Sequence, residues 1–317
     1  MKYSIITAVY NRKDCIARCI ESVIRNISYY NDFEHIIIDD GSTDATANIV
    51  NKYQEKYPHI IFIQFTKNKG TNAARNYAIN MAKGEYCVIL DSDDYFVDNA
   101  LQIINDTISK NSYNYYMFCP DDMMEKYNQN QLLQTYQKEL SFQDFLLNKV
   151  GGDFIHVMPT QIIQQLPFDE DLRIYEGFFF LRFYKQVKRM LFTRAIVTIR
   201  ERSRKDSVTR EVLRTNKNSI RRSIIAAELS VKWFYSDYIA YNAKDILVNI
   251  HTILAENYML LSDYSNAKKN IDNIYSLGDK IPIKIIILYK LRLGYLYRIC
   301  LKLYLLIKYS FLNKKLK

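Results

Sequence analysis

What most limits the folds open to this chain is a rhythm in its first 120 residues. Short apolar runs alternate with stretches of helical spacing, and polar residues close nearly every run. The strand candidates are Tyr3 to Val9, His35 to Ile38, Ile60 to Gln64, Tyr86 to Leu90 and Tyr115 to Cys119,. Helix candidates lie between them, near Lys13 to Asn26, Asp44 to Lys56, Thr71 to Ala82 and Asp98 to Ser109. Such alternation implies an α/β fold with a mainly parallel central sheet flanked by helices on both faces. Sheets of that kind bind ligands outside the carboxyl ends of their strands. The polar clusters fall there: Tyr10 and Asn11 after the first run, Asp39 and Asp40 after the second, Asn68 to Gly70 after the third, Asp91 to Asp94 after the fourth.

The periodicity weakens between 121 and 215, where a polar stretch, a Gly151-Gly152 break and an apolar run from Phe154 to Met158 follow one another. These residues read as the second half of the same domain, giving a first domain over 1–215 and a helical region over 216–317,. No internal repeat and no low-complexity linker is visible.

The formal net charge is +10, but the tail from Ile281 to Lys317 holds nine Lys or Arg and no Asp or Glu. The body is therefore nearly neutral, which argues against a nucleic-acid-binding surface spread over the fold. Five cysteines without a dense, even pattern, and no histidines placed to complete a zinc set, fit a reducing compartment,. The start, MKYSIITAVYN, reads as a strand entered almost at once rather than as a signal peptide,.

Two acidic clusters carry the chemistry. Asp91-Ser92-Asp93-Asp94 follows the run YCVIL directly. Two acids separated by one residue can aim carboxylates from a turn at one point, a donor set suited to Mg²⁺ or Mn²⁺ shared with phosphates. Taken alone, the triplet is also what an Asp-rich surface turn looks like. In IIIDDGSTDAT at 36–46, Gly41 allows a tight turn and Ser42, Thr43 or Asp44 can cap the next helix,. Asp39 and Asp40 repel each other at a strand end, and hydroxyl or base N–H groups of a ligand would give them a use.

These segments resemble the family 2 glycosyltransferases of the GT-A fold. The resemblance rests on SIITAVYN at 4–11, IIIDDGSTDAT at 36–46, NKGTNAARNYAINMAKGEYCVILDSDD at 68–94 and FDEDLRIYEGFFFLRF at 168–183, and covers roughly residues 1–210. It implies a nucleotide-sugar-binding half over 1–120 and an acceptor-binding half over 121–215. In it Thr7, Tyr10, Asp39, Asp40, Arg75, Asp91 and Ser92 would face the nucleotide, with Tyr10 beside the base, Asp40 on the base or ribose and Arg75 near the diphosphate. Asp93 would be the main protein ligand of Mn²⁺ or Mg²⁺. Arg202, Arg204, Ser207 and Thr209, in ERSRKDSVTR, would close over the diphosphate.

Family members commonly have Glu-Asp where this chain has Glu176-Gly177, and the Asp is usually the base. Either Glu176 takes that role or a nearby acid does, the candidates being Asp169, Glu170 and Asp171. His156 and His251, each alone on an apolar run, read as packed side chains. The resemblance implies an inverting transferase that moves a sugar, from a UDP-sugar by preference, to a glycan or polyprenyl-diphosphate-linked acceptor of bacterial surface polysaccharide assembly. Gly177 also keeps open a catalytically silent nucleotide-sugar-binding protein, and a nucleotidyltransferase of similar fold is a further alternative.

From Ile283 to Phe311 the chain is apolar but too often interrupted by charge for the roughly 18 unbroken residues of a spanning helix. Lys284, Arg292, Arg298 and Lys302 fall on one broad helical side, with Lys290 and Lys308 at its margin,. That pattern describes a peripheral helix at the inner face of the cell membrane, the chain otherwise being cytoplasmic. The same helix could instead pack on the body or on another copy of the chain, with its cations reaching back to water.

Overall fold

The computed structural model describes residues 1–172, 175–201 and 216–315, with 306–315 as helical backbone. Chain contacts divide it into two units, Met1–Arg204 and Lys205–Lys317. That division falls inside the residues not described, eleven positions before the domain end expected from the sequence.

In the first unit, β1 (Tyr3–Val9), α1 (Ile16–Arg25), β2 (Phe33–Asp39), α2 (Thr46–Lys56), β3 (Ile60–Gln64), α3 (Thr71–Met81) and β4 (Tyr86–Ile89) follow the alternation of the sequence to within a helical turn. After them come β5 (Tyr95–Phe96), α4 (Ala100–Lys110), β6 (Tyr115–Pro120), α5 (Met124–Asn128), β7 (Gln137–Leu140), α6 (Phe142–Leu146), β8 (Ile155–Pro159), α7 (Thr160–Gln165), α8 (Gly177–Val187) and β9 (Met190–Ile199).

The strands form one sheet in the order β3-β2-β1-β4-β8-β6-β9-β5, with β7 also on β9. β1, β2, β3 and β4 pair in parallel, as expected. The other half is mixed: β8 runs antiparallel between β4 and β6, β6 and β9 are parallel, and β5 and β7 run antiparallel to β9. The apolar run at 154–158 marks a buried strand but carries no directional signal, so a mainly parallel sheet describes only the β3-β2-β1-β4 half.

Every residue of β2 is buried and β1 is nearly so, because helices cover both faces,. α1 puts Ile16, Cys19, Ile20 and Val23 into the core at three- and four-residue spacing,. β2 buries two acids, Glu34 and Asp39; Glu34 accepts the Ser4 hydroxyl at 2.6 Å and the Lys83 N–H at 2.7 Å, which offsets its desolvation,. Gly84 lies so close to β1 that a Cβ there would sit 2.5 Å from the backbone of Tyr3 and Ser4.

The second unit comprises α9 (Lys217–Ala240), α10 (Lys244–Leu260), α11 (Tyr264–Ser276), α12 (Ile283–Lys290) and α13 (Gly294–Lys315). Four of its helices end with one geometry. Ala243, Asp263, Asp279 and Leu293 donate to the Tyr238, Tyr258, Ile274 and Leu288 carbonyls, and the preceding Asn242, Ser262, Gly278 and Arg292 are left-handed at φ 54°, 64°, 79° and 55°,. The sequence shows no repeat here because the turn asks for one backbone conformation rather than one residue type.

The basic tail is two helices rather than one. Ile285 and Leu288 of α12 are buried with Ala255, Met259, Ile271 and Ile274. Lys284 pairs with Glu256 at 2.9 Å and lies over the Tyr297 ring, so it is not part of a free cationic face. Among the described residues no helix is long and apolar enough to cross a membrane.

Candidate functional site

The carboxyl ends of β1, β2 and β4 lie side by side, since Val9 is in register with Asp39 and Ile6 with Ile89. β1 separates the two acidic clusters, so Asp40 and Asp91 stand about two strand spacings apart, on the order of 10 Å. Tyr10 leaves β1 41% exposed at this rim. Asp40, 3% exposed, spends its carboxylate on the next loop: it accepts the N–H of Lys69 at 2.6 Å and of Gly70 at 2.8 Å. One Asp39 oxygen accepts the Ser42 N–H and hydroxyl, while the other is buried without a partner. Burial raises the Asp39 carboxyl above the usual carboxylate range,. Gly41, at φ 74°, turns the chain where a Cβ would lie 2.7 Å from the Lys67 backbone.

Beyond β4, Asp91 is exposed, Ser92 is buried and Asp93 is half-buried. Asp94 is pushed up to about 8, first by burial and then by the charges of Asp91 and Asp93. Such crowding of carboxylates is what a bound hard cation relieves. Among the described residues, however, no three His, Cys, Asp or Glu side chains are grouped to hold a metal by themselves. The donor set therefore fits a cation that takes one or two carboxylates here and its other ligands from phosphate oxygens and water. Arg18 of α1 braces the turn by donating to the Asp93 carbonyl at 3.2 Å and to Glu201 at 3.3 Å.

α3 joins this rim to the loop that carries the candidate bases. Asn72, Arg75 and Asn76 share one helix face by their spacing. Asn72 donates to the Asp169 carbonyl, and Asn76 exchanges hydrogen bonds with the Phe168 backbone and donates to Glu170 at 3.2 Å. Arg75 donates to Asp91 at 2.8 Å, and its other terminal nitrogen lies 3.7 Å from Glu176. One guanidinium thus links the fourth strand end to Glu176, which stands just before α8. Asp169 is paired with Arg182 at 3.1 Å instead, and Asp171 is exposed.

One expectation changes against the structure. Thr7 is fully buried, donates its hydroxyl to the Leu90 carbonyl at 3.0 Å and meets His35 Nε2 at 2.9 Å. Its hydroxyl is a clasp within the sheet and is not presented to the crevice. Arg202, Arg204, Ser207 and Thr209 lie outside the described residues. His156 meets the Tyr115 hydroxyl and stacks on Phe180, and His251 pairs with Asn270 at 2.8 Å, both as packed side chains.

Sequence reasoning missed Arg18, Asn72 and Asn76. It also missed Arg200, which grips Asp122 with two nitrogens at 2.7 and 2.9 Å and Asp153 at 3.0 Å. Asn72 and Asn76 lie inside the block at 68–94, and the signal available was that Asn72 stands three residues before Arg75 and four before Asn76,.

Comparison with known proteins gives concordant likenesses. The family model described as "Glycosyl transferase family 2" matches residues 4–191. The poly(ribitol-phosphate) beta-glucosyltransferase of Bacillus spizizenii is 44% identical over 102 residues, 32% of this chain but only 16% of that protein. The GalNAc(5)-diNAcBac-PP-undecaprenol beta-1,3-glucosyltransferase of Campylobacter jejuni is 26% identical over 293 residues, 90% of this chain and 89% of that one. Among solved structures, S. aureus TarS 1-349 in complex with UDP-GlcNAc superposes with a TM-score of 0.57 at 19% identity, over 87% of this chain and 90% of that one. That likeness shows the fold.

Proposed function

This chain belongs to glycosyl transferase family 2, and from that premise we propose that it is an inverting glycosyltransferase. It moves a sugar from a nucleoside-diphosphate sugar, a UDP-sugar by preference, to a sugar hydroxyl of a lipid-linked or polymeric acceptor. The observation that carries the reading is the Arg75 bridge, which brings an acid of the donor rim and a candidate base to one guanidinium.

Tyr10 and the Asp39–Asp40 pair form the end of the crevice that takes the nucleoside. Asp93, with Asp91 beside it, would hold Mn²⁺ or Mg²⁺ together with the donor's diphosphate. When bound, such a cation neutralises charge on the departing diphosphate. Glu176 takes the proton of the acceptor hydroxyl as that oxygen forms its bond to the anomeric carbon. The bond from the anomeric carbon to the diphosphate oxygen breaks, its electron pair leaves with the nucleoside diphosphate, and the configuration inverts. Glu176 is preferred over Asp169 and Glu170 because those two are held by Arg182 and Asn76.

The likeness to the C. jejuni protein, whose name specifies an undecaprenol-linked acceptor, supports an acceptor of that class. The described part of α12 and α13 supports a membrane contact. Ile283, Leu291, Tyr295 and Leu296 are each more than half exposed, and this stretch holds Lys and Arg but no acid.

The test is to incubate the chain with UDP- and GDP-sugars, Mn²⁺ and polyprenyl-diphosphate-linked glycans, and to measure released nucleotide and the product's anomeric configuration. A product of retained configuration, or release of inorganic diphosphate in place of a nucleoside diphosphate, would overturn the reading.

A further inference from the structure

We propose that Arg75 is a positioning residue for Glu176, acting on the base rather than as a ligand of the donor's diphosphate. The proposal rests on the glycosyltransferase reading above. It begins from the difference between the two contacts of one guanidinium.

The contact to Asp91 is a hydrogen bond at 2.8 Å, whereas the contact to Glu176 is 3.7 Å, beyond hydrogen-bonding range,. At that separation the guanidinium attracts the carboxylate without occupying its lone pairs, which stay open to an acceptor hydroxyl. The Arg75 side chain is 14% exposed and that of Glu176 is 24% exposed, so the attraction is screened less than at an open surface,.

The surroundings hold Arg75 in place independently of any ligand. Its guanidinium lies 5.8 Å from the Phe168 ring centroid, and Phe168 is fixed to α3 by Asn76 on both its N–H and its carbonyl. Asn72 holds the next residue, Asp169, through its carbonyl. α3 therefore holds Phe168, Asp169 and Glu170 through its two asparagines and Glu176 through the charge of Arg75. Its other end is fastened as well, where Asp40 accepts the Lys69 and Gly70 N–H groups. A shift of α3 on donor binding would reach Glu176 through Arg75.

An arginine is suited to this because its planar fork can face two carboxylates at once. A lysine keeps the charge but offers a single point, so it satisfies one carboxylate at a time.

The experiment is a double-mutant cycle on the full chain, with kcat measured at saturating donor and acceptor and the Kd for UDP with Mn²⁺ measured by calorimetry. Arg75→Gln should lower kcat by about a hundredfold, with the Kd for UDP changed by less than about threefold. Arg75→Lys should recover part of kcat. In a Glu176→Gln background, Arg75→Gln should add almost nothing, because both substitutions remove one function.

Losses that multiply in the double variant, or an Arg75→Gln variant that keeps kcat while losing affinity for UDP, would overturn the proposal and make Arg75 a diphosphate ligand. Circular dichroism spectra and melting temperatures of the variants separate loss of fold from loss of positioning. A wild-type chain that transfers no sugar from any donor would overturn the glycosyltransferase reading itself, and this proposal with it.

Discussion

Asp40 accepts the backbone N–H of Gly70 at 2.8 Å and shares the same carboxylate with the N–H of Lys69. A side chain expected to meet the nucleoside thus also holds the loop that leads into α3. Asp40→Asn leaves one acceptor oxygen for two N–H groups and turns an NH₂ toward the other. The expected effect is a loss of about 1–3 kcal/mol in unfolding free energy, read from urea denaturation, together with weaker UDP binding. Unchanged stability with weaker binding would assign Asp40 to the ligand alone.

Gly177 stands where family members commonly carry an acid, yet nothing in the backbone demands a glycine. A Cβ there would meet no atom within 4 Å. Gly177→Asp puts a carboxylate in the first turn of α8, where the helix dipole favours it by about 0.3–1 kcal/mol, and it also restricts the unfolded chain. The melting temperature should rise. Glu176→Gln should lower kcat by about a hundredfold or more, and Gly177→Asp in that background should restore part of it. A kcat indifferent to Glu176→Gln would move the base to Asp169, Glu170 or Asp171.

Gly84 is constrained by space alone. A Cβ would sit 2.5 Å from the Tyr3 and Ser4 backbone at the centre of the sheet, and neither strand can withdraw without breaking its pairing. Gly84→Ala should destabilise the chain by about 1–3 kcal/mol, measured by denaturation. A neutral outcome would mean that the turn before β4 can move away from β1.

The first four strands were legible because each is an apolar run closed by polar residues, and in a parallel sheet that pattern fixes both the element and its functional end. Asp40 and Asp91 could be placed on one rim for that reason. Thr7 could not be told from a rim residue, because a hydroxyl two residues before the end of a strand reads the same whether it faces a ligand or a neighbouring carbonyl. The direction of β8 was illegible too, since Ile155 to Met158 has the same composition whichever way it runs. The helix α3 was visible, but its role in gripping the loop at Phe168 and Asp169 depends on a partner nearly a hundred residues away, which local spacing does not report.

The tail helices make a membrane contact testable separately from catalysis. Leu291 and Leu296 are 64% and 55% exposed, so a charge at either should leave the fold intact. Leu291→Glu with Leu296→Glu should abolish sedimentation with vesicles containing anionic lipid, while the melting temperature stays within a degree or two. Lys290→Glu should weaken the same binding in a salt-dependent way, since each exposed cation near such a surface contributes about 1 kcal/mol. Wild-type chain that ignores anionic vesicles would leave the exposed face to a protein partner.

His35 gives the fold a defined acid limit. The Thr7 hydroxyl has one proton and donates it to Leu90, so it can only accept from His35 Nε2–H, and Nδ1 is left bare and buried without a partner,. Protonating Nδ1 would bury an unpaired charge, and burial accordingly pushes the imidazole down to about 3,. Above the ordinary histidine value of about 6.5 neither the folded nor the unfolded chain carries this proton, so His35 contributes no pH dependence. Below it the unfolded chain takes up a proton that the folded chain refuses, and stability falls as the pH drops toward 3. The slope from this one group is at most about 1.4 kcal/mol per pH unit. His35→Gln can still donate to Thr7 but cannot titrate, so its unfolding free energy between pH 6.5 and pH 4.5 should decline less steeply than that of the wild-type chain. Parallel declines in the two proteins would show that the folded chain protonates His35 as readily as the unfolded chain does,.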